Sequence, residues 1–334
     1  MKHTLFIFFL CCVVGANFAQ NLVINGDFEL YDSCPTSIGS VNGFVQDIYN
    51  PQSSGTSDYF NACSPSMNNC LNPGSCSVPA NSLGFQYPLS GNGMMGHFVS
   101  YTIENYHEYF VCKLSQTMEK DSLYEISCNV VRANHCKYAT DNYMVAFTQN
   151  PVPMNNMSHQ TIYLNGVNIN HTGFIKDTLN WTKLRHYYKA NGTENYLVFG
   201  SFLDNEFVST ISIEGDVLFC PNQLTMDFGA YYYVDAVSVE KRPEVTFFPN
   251  VFSPNNDGIN DTFESLISGY KLIGLRIINR WGETVFSTNT SDEEWNGEFA
   301  DKSCTEGVYF YYAIFLDEEV NQELIKQGSV TLMR

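Results

Sequence analysis

A run of oxygen-bearing side chains lies at 253–264, SPNNDGINDTFE. Asn255, Asp257, the Ile259 carbonyl and Asp261 stand at alternate places. Gly258 takes the sharp turn, and Glu264 falls at the twelfth position counted from Ser253. Hard cations such as calcium need several oxygens converging in this way. Ser253 occupies the place of the first carboxylate, Pro254 follows it, and no helical pattern flanks the run. The competing expectation is an Asn/Asp/Gly turn whose side chains bond their own backbone. Cysteine is the next reactive type. Cys63, Cys70 and Cys76 lie in the stretch 61–82, which is nearly devoid of core formers, so cross-links are expected there. Zinc is the rival, but no CxxC knuckle and no neighbouring histidine supports it. Nine cysteines follow residue 19, an odd number, which leaves at least one thiol unpaired, and Cys304, alone in the last third, is the candidate.

Signatures of catalysis are absent. There is no GxSxG and no HExxH, and the seven histidines are scattered without a metal-ligand pattern. His107 beside Glu108, and His135 beside Cys136, are adjacent pairs that a strand would point to opposite faces. Carboxylates for glycoside hydrolysis need only meet in space, so sequence alone does not exclude them. Sugar binding needs an aromatic platform with polar neighbours. Tyr59, Phe60, Tyr106, Tyr109, Trp181, Tyr187 and Tyr188 are the candidates, although with aromatics at 15% of the chain most must serve the core.

The elements that would position such groups are strands. Runs rich in Val, Ile, Tyr and Phe recur at 107–114, 122–131, 142–149, 181–189, 195–203 and 231–240, bounded by Gly, Asn, Asp and Pro. Several alternate apolar and polar residues, and no long stretch keeps a 3.6-residue period. The expectation is an all-β chain of sandwich or jelly-roll layout. At 334 residues it has room for about two domains. A seam is expected near 241–250, where Pro243 follows two basic residues and a new β pattern begins. In the last part, Gly282, Gly297 and Gly307 mark turns, and Trp281 and Trp295 are expected core anchors.

Charge and the amino terminus bound the surroundings. Thirty-five acidic residues against 17 basic give a formal charge of −18, which disfavours nucleic acid or an anionic lipid surface as main partner. Residues 1–19 show Lys2, an apolar run from Thr4 to Ala16, and small residues ending at Ala19. This is the layout of a secretory signal peptide, cleaved after Ala19 or after Ala16. The run is too short to span a bilayer, and no other run approaches spanning length, so no membrane span is expected in the mature chain.

The motifs FPNVFSPNNDGINDTF (248–263), LRIINRWGETVF (275–286), WNG (295–297), GVYFYY (307–312) and GSVTLMR (328–334) follow in that order. Together they resemble the gliding-motility-associated C-terminal domain, the type B sorting domain of the type IX secretion system. The resemblance implies an immunoglobulin-like sandwich over 243–334. It further implies engagement of the secretion machinery through that segment, export across a Bacteroidota outer membrane, and release or retention at the cell surface. The opening NLVINGDFELYD (21–32) and closing YYYVDAVSV (231–239) resemble the first and last strands of galactose-binding-like jelly rolls, which implies such a domain over 20–242. The internal segments resemble a family of secreted Bacteroidota proteins, although Tyr49 and aliphatics stand where that family has a Trp before the DYFN motif. In such jelly rolls a structural calcium joins the first and last strands, and the matching residues are Glu29 and Asp235. Two carboxylates meeting at one rim repel unless a cation sits between them. Asp121-Ser122-Leu123 and Asp177-Thr178-Leu179 resemble the Bacteroidota O-glycosylation sequon. The function expected is that of a non-catalytic secreted or surface protein binding carbohydrate or a surface partner. The alternatives are a structural or adhesive protein without sugar binding and a small glycan-active hydrolase.

Overall fold

The computed structural model describes residues 20–52, 57–65, 68–69, 72–73, 76–101, 105–153, 161–214, 228–242, 248–263, 270–317 and 322–334. The signal peptide expected at 1–19, Cys70, Cys220, Pro243 and Glu264 lie outside the described residues.

The chain is all-β. In chain order its principal strands are β1 (Ile48–Tyr49), β2 (Asp58–Asn61), β3 (Gly93–Tyr101), β4 (Phe110–Lys113), β5 (Leu123–Arg132), β6 (Met144–Thr148), β7 (Val167–Asn168), β8 (Thr182–Lys189), β9 (Tyr196–Phe199) and β10 (Gly229–Lys241). After them come β11 (Val251–Phe252), β12 (Lys271–Ile278), β13 (Thr284–Thr288), β14 (Gly307–Asp317) and β15 (Gln322–Leu332). Two antiparallel sheets face one another in the front part, ordered β8-β5-β10-β3-β2 and β1-β4-β9-β6-β7. The rear part has one five-stranded sheet, β11-β15-β14-β12-β13, in which only β11 and β15 run parallel.

Alternation in β5 and β10 builds the front core. Tyr124, Ile126, Cys128 and Val130 of β5 point between the sheets, and Val131 points outward. In β10, Tyr232 and Val234 point inward, then Val237 and Val239 do, so the inward phase slips by one residue. A bulge between Asp235 and Ser238, with Ala236 at φ 51°, supplies that slip. Across the core, the Phe110 and Phe199 rings stack at 4.6 Å, and His97 meets Phe110 edge-on at 5.2 Å. Both sheets are also covered outside. Phe60, Phe98, Tyr231 and Tyr233 pack with Cys76, Val78 and Leu83 over the first sheet. Val111, Ala146 and Val198 lie under Val152, Ile162 and Phe202 over the second. The opening segment is held to β10 by a bridge from Asn21 to Glu240 and by the Leu22 N–H on the Val239 carbonyl at 2.8 Å.

The rear sheet gathers its own cluster from Phe252, Phe263, Ile277, Trp295, Phe315 and Val330. Trp295 is 1% exposed and its indole N–H donates to the Glu298 carbonyl at 3.0 Å. Trp281 departs from expectation: it is 77% exposed. Asn279 Oδ1 accepts the N–H groups of both Trp281 and Glu283 at 3.0 Å and closes a turn. Trp281 sits at the tip of that turn, with the Arg280 guanidinium 5.7 Å from its ring.

One expected cross-link forms at the 61–82 stretch, where Cys63 pairs with Cys34. Cys76, Cys112, Cys128 and Cys136 are buried free thiols that act as small apolar residues. Cys304 is free, as expected.

The two tryptophans separate by stability. Trp295→Ala is expected to cost about 3–5 kcal/mol in denaturant unfolding, the range for a buried aromatic. Trp281→Ala is expected to stay within about 0.5 kcal/mol, as a surface change does.

Candidate functional site

The aromatic residues proposed from sequence as sugar platforms are mostly packing residues. Tyr59, Phe60 and Tyr109 are 0% exposed and Tyr187 is 7% exposed. Tyr106, Trp181 and Tyr188 are half-buried against the same clusters. The broad outer face of the second sheet, where a ligand could have lain, is filled by Val152, Ile162 and Phe202.

An exposed aromatic residue with side-chain polar neighbours sits instead at one end of the front sandwich. Segments 105–109, 161–166 and 200–209 meet there around Asp204. Its Oδ1 accepts from Asn105 Nδ2 at 2.7 Å, Thr161 Oγ1 at 2.8 Å and the Tyr163 hydroxyl at 3.0 Å. These bonds, Asn105 first, hold the carboxyl below its ordinary range, so it is an anion fixed in orientation. The Asp204 hydrogen bond in turn pushes the Tyr163 phenol up. Asn105 is braced from behind, its Oδ1 accepting the Asn205 N–H at 2.9 Å and lying 3.2 Å from His107 Nε2. Tyr163 is 73% exposed, and Phe207, three residues beyond Asp204, is 66% exposed. A second exposed aromatic, Tyr87, meets Trp181 only through its carbonyl. Tyr163, Asp204 and Phe207 were missed in sequence, because each stands in a segment without periodic pattern.

Glu29 and Asp235 stand at one rim, each bonded to the segment 89–93. Asp235 Oδ2 accepts the N–H groups of Leu89 (2.8 Å) and Ser90 (3.2 Å), and Oδ1 accepts its neighbour Ala236 at 2.6 Å. Glu29 Oε1 accepts Asn92 and Gly93, both at 2.7 Å. The pair therefore grips the segment 89–93. Gly91 is required between them, because its φ is +65° and a Cβ would stand 2.4 Å from Glu29 Oε1. Calcium needs six to eight oxygens, whereas these carboxylates already face N–H donors. As placed, the pair fits amides rather than a cation.

The same holds for the described part of the loop, 253–263. Asp261 Oδ1 accepts Asn255 and Asn256, Oδ2 accepts Gly258, and Asp257 Oδ1 accepts Ile259, at 2.7–2.9 Å. Those amides, Gly258 first, hold Asp261 below its ordinary range. As placed, the run is a turn closed on its own backbone. Among the described residues no three His, Cys, Asp or Glu side chains gather as a metal site.

Two carboxyls do meet in the interior, Asp58 and Glu108, at 3% and 0% exposure. Asp58 accepts the Tyr231 hydroxyl at 2.5 Å and Glu108 accepts that of Tyr106 at 2.6 Å. Burial, then Glu108, drives the Asp58 carboxyl up. Burial likewise pushes His97 down to about 4. For these groups burial in the core is the leading cause.

Residues 246–332 match the family model described as the CHU_C Type IX secretion signal domain. This C-terminal segment is a type IX sorting domain. It makes the chain an exported protein, secreted or held at the cell surface, and it engages the secretion machinery. Strands β11 to β15 of the sorting domain fall within the matched residues, and among the described residues no helix is long and apolar enough to cross a membrane.

Solved structures match at low similarity. The CBM22-1–GH10 modules of Clostridium thermocellum xylanase 10B, complexed with xylohexaose, share 12% identity over 62% of this chain and 30% of theirs, with a TM-score of 0.30. The CBM22-1 xylan-binding domain of Paenibacillus barcinonensis Xyn10C shares 12% over 63% of this chain and 97% of its own, with a TM-score of 0.27. TmCBM61 in complex with β-1,4-galactotriose shares 11% over 67% and 100%, with a TM-score of 0.25. These scores carry no argument about ligand. No curated protein matches the chain.

Two measurements check the rim pair. Burial, opposed by the amides and helped by Glu29, pushes Asp235 from 3.8 up to about 7. A raised folded value means that its stabilising contribution is complete below about pH 4 and is lost as pH rises through about 7. The unfolding free energy is expected to fall across that window, by up to ~1.4 kcal/mol per pH unit from this group. Asp235→Asn should make the fall shallower, with Asp58 supplying the remainder. Chelation with EDTA is expected to leave the melting temperature unmoved. A rise of several degrees with added calcium, lost in Asp235→Asn, would restore the cation.

Proposed function

We propose that the sorting domain exports a non-catalytic front sandwich, which binds a neutral or weakly charged glycan through the rim of Asp204, Asn105 and Tyr163. The supporting observation is the fixed Asp204 anion beside a Tyr163 ring that is 73% exposed. An aromatic face takes the apolar side of a pyranose, and a carboxylate with an adjacent amide takes its hydroxyls. Both rest on a two-sheet scaffold, so little order is lost on binding. The non-catalytic reading is supported by the location of the perturbed groups. Asp58, Glu108 and His97 are all under 4% exposed and cannot meet a polymeric substrate. Burial also pushes the thiols of Cys112, Cys128 and Cys136 up, which suppresses the thiolate.

Retention on a panel of immobilised polysaccharides tests the reading. Binding is expected, with Tyr163→Ala and Asp204→Asn each weakening it about tenfold or more, worth roughly 1.4 kcal/mol, at unchanged melting temperature. Retention on none of the panel would favour the adhesive alternative. Turnover of a labelled oligosaccharide, lost when one carboxylate is amidated, would favour a hydrolase.

A further inference from the structure

The rear sheet has a second face. In β14, Tyr309, Ala313 and Phe315 point into the cluster, and Val308, Phe310 and Tyr312 point away from it. Those three remain 42%, 46% and 42% exposed. Register sets two rows across three strands. Ile278, Phe310 and Ser329 form one, and Arg276, Tyr312 and Gln327 form the other. The rows line an open cavity of about 760 Å³, with Thr284 at its margin. That volume lies within the usual range for small-ligand sites, about 300–1,000 Å³.

Charge decides the kind of occupant. Among the described residues, no carboxylate lines the cavity and Arg276 makes no ion pair, so its exposed guanidinium is the one fixed charge there. The surroundings are acidic, with 15 acidic residues against six basic from Pro243 onward. A densely charged polyanion would be repelled by that field, whereas a ligand with a single carboxylate can place it on Arg276 and keep its neutral part on the rings. Phe310 and Tyr312 stand two residues apart on one strand, roughly 7 Å, so adjacent sugar rings can be received in succession. Gln327, Ser329 and Thr284 add neutral donors and acceptors for hydroxyls.

We propose that this face of the sorting domain is a binding site for a sparsely charged acidic oligosaccharide, one uronate set on Arg276 and neighbouring pyranoses stacked on Phe310 and Tyr312. The site is separate from the Asp204 rim and does not rest on it.

Calorimetry on the full chain tests this with a glucuronosyl-xylotriose and with xylotriose as its uncharged counterpart. Saturable binding of the acidic sugar is expected, at least tenfold tighter than the neutral one and weakened by salt. Arg276→Gln should remove that preference, and Tyr312→Ala should weaken both sugars, at unchanged melting temperature. Gln327→Ala serves as a milder second variant. Equal affinity for the two sugars, or no binding of either, overturns the proposal. So does binding that survives Arg276→Gln, and so does binding lost in Asp204→Asn, which belongs to the front rim. If both sugars are silent while Phe310→Glu stops export, the face is a protein-docking surface and the proposal falls.

Discussion

The front sandwich depends on one irregularity, the bulge in β10 between Asp235 and Ser238. β10 is the central strand of its sheet and must fill two cores at once, with Tyr231 and Tyr233 on one face and Tyr232 and Val234 on the other. A period of two cannot take the strand from Val234 to Val237 on the same face without an extra residue. The extra residue frees Asp235 from regular alternation and aims it at the amides of Leu89 and Ser90. The Gly26 carbonyl accepts the Val237 N–H just beyond the bulge, so the opening segment of the front sandwich is tied to its last strand. A slip there would misplace Glu29, the segment 89–93 and the register of β10 with β3 together.

Much of this was legible in sequence for a simple physical reason. Strands that cover a core on one face must alternate, and β5, β8 and β10 fall where alternation placed them. The rear motifs were legible because turns, glycines and Trp295 recur in a fixed order. Side-chain environment was not legible. Trp281 and Trp295 are the same residue type in the same segment, yet Asn279 closes a turn that carries one outward. Cys76 read as part of a cross-link because composition does not reveal whether a thiol faces another thiol or a Val. The Asp204 rim was illegible because Asn105, Thr161 and Asp204 lie 99, 56 and 43 residues from one another and meet only in the folded chain.

The interior shows how a chain rich in tyrosine manages its polar ends. Tyr59, Tyr109, Tyr231, Tyr232 and Tyr233 are all 0% exposed, and each hydroxyl has a partner. Unpaired, each would carry a desolvation cost of about 1–3 kcal/mol. Asp58 and Asn81 are therefore best read as acceptors for Tyr231 and Tyr233 rather than as reactive groups. Such a network fixes one arrangement of the rings and leaves the interior without freedom to act as a site.

That division extends to the join between the two units. Among the described residues strand β8 is an edge of its sheet, and the backbone N–H and C=O groups of an edge strand can recruit another chain. At Tyr187 both of those groups are taken by one side chain of the sorting domain. Gln322 accepts the Tyr187 N–H at 3.2 Å and donates to its carbonyl at 3.4 Å, as a neighbouring strand would. The Tyr187 hydroxyl bonds Asp317 at 2.5 Å, and Arg242 lies 5.5 Å over its ring while pairing with Glu125 at 3.2 Å. The sorting domain thus touches the front sandwich through Asp317 at the end of β14 and Gln322 at the start of β15, on the β8 edge. Tyr270, beside the start of β12, adds its ring at 5.8 Å from that of Tyr187, and among the described residues the outward-facing Phe310 and Tyr312 take no part in this join.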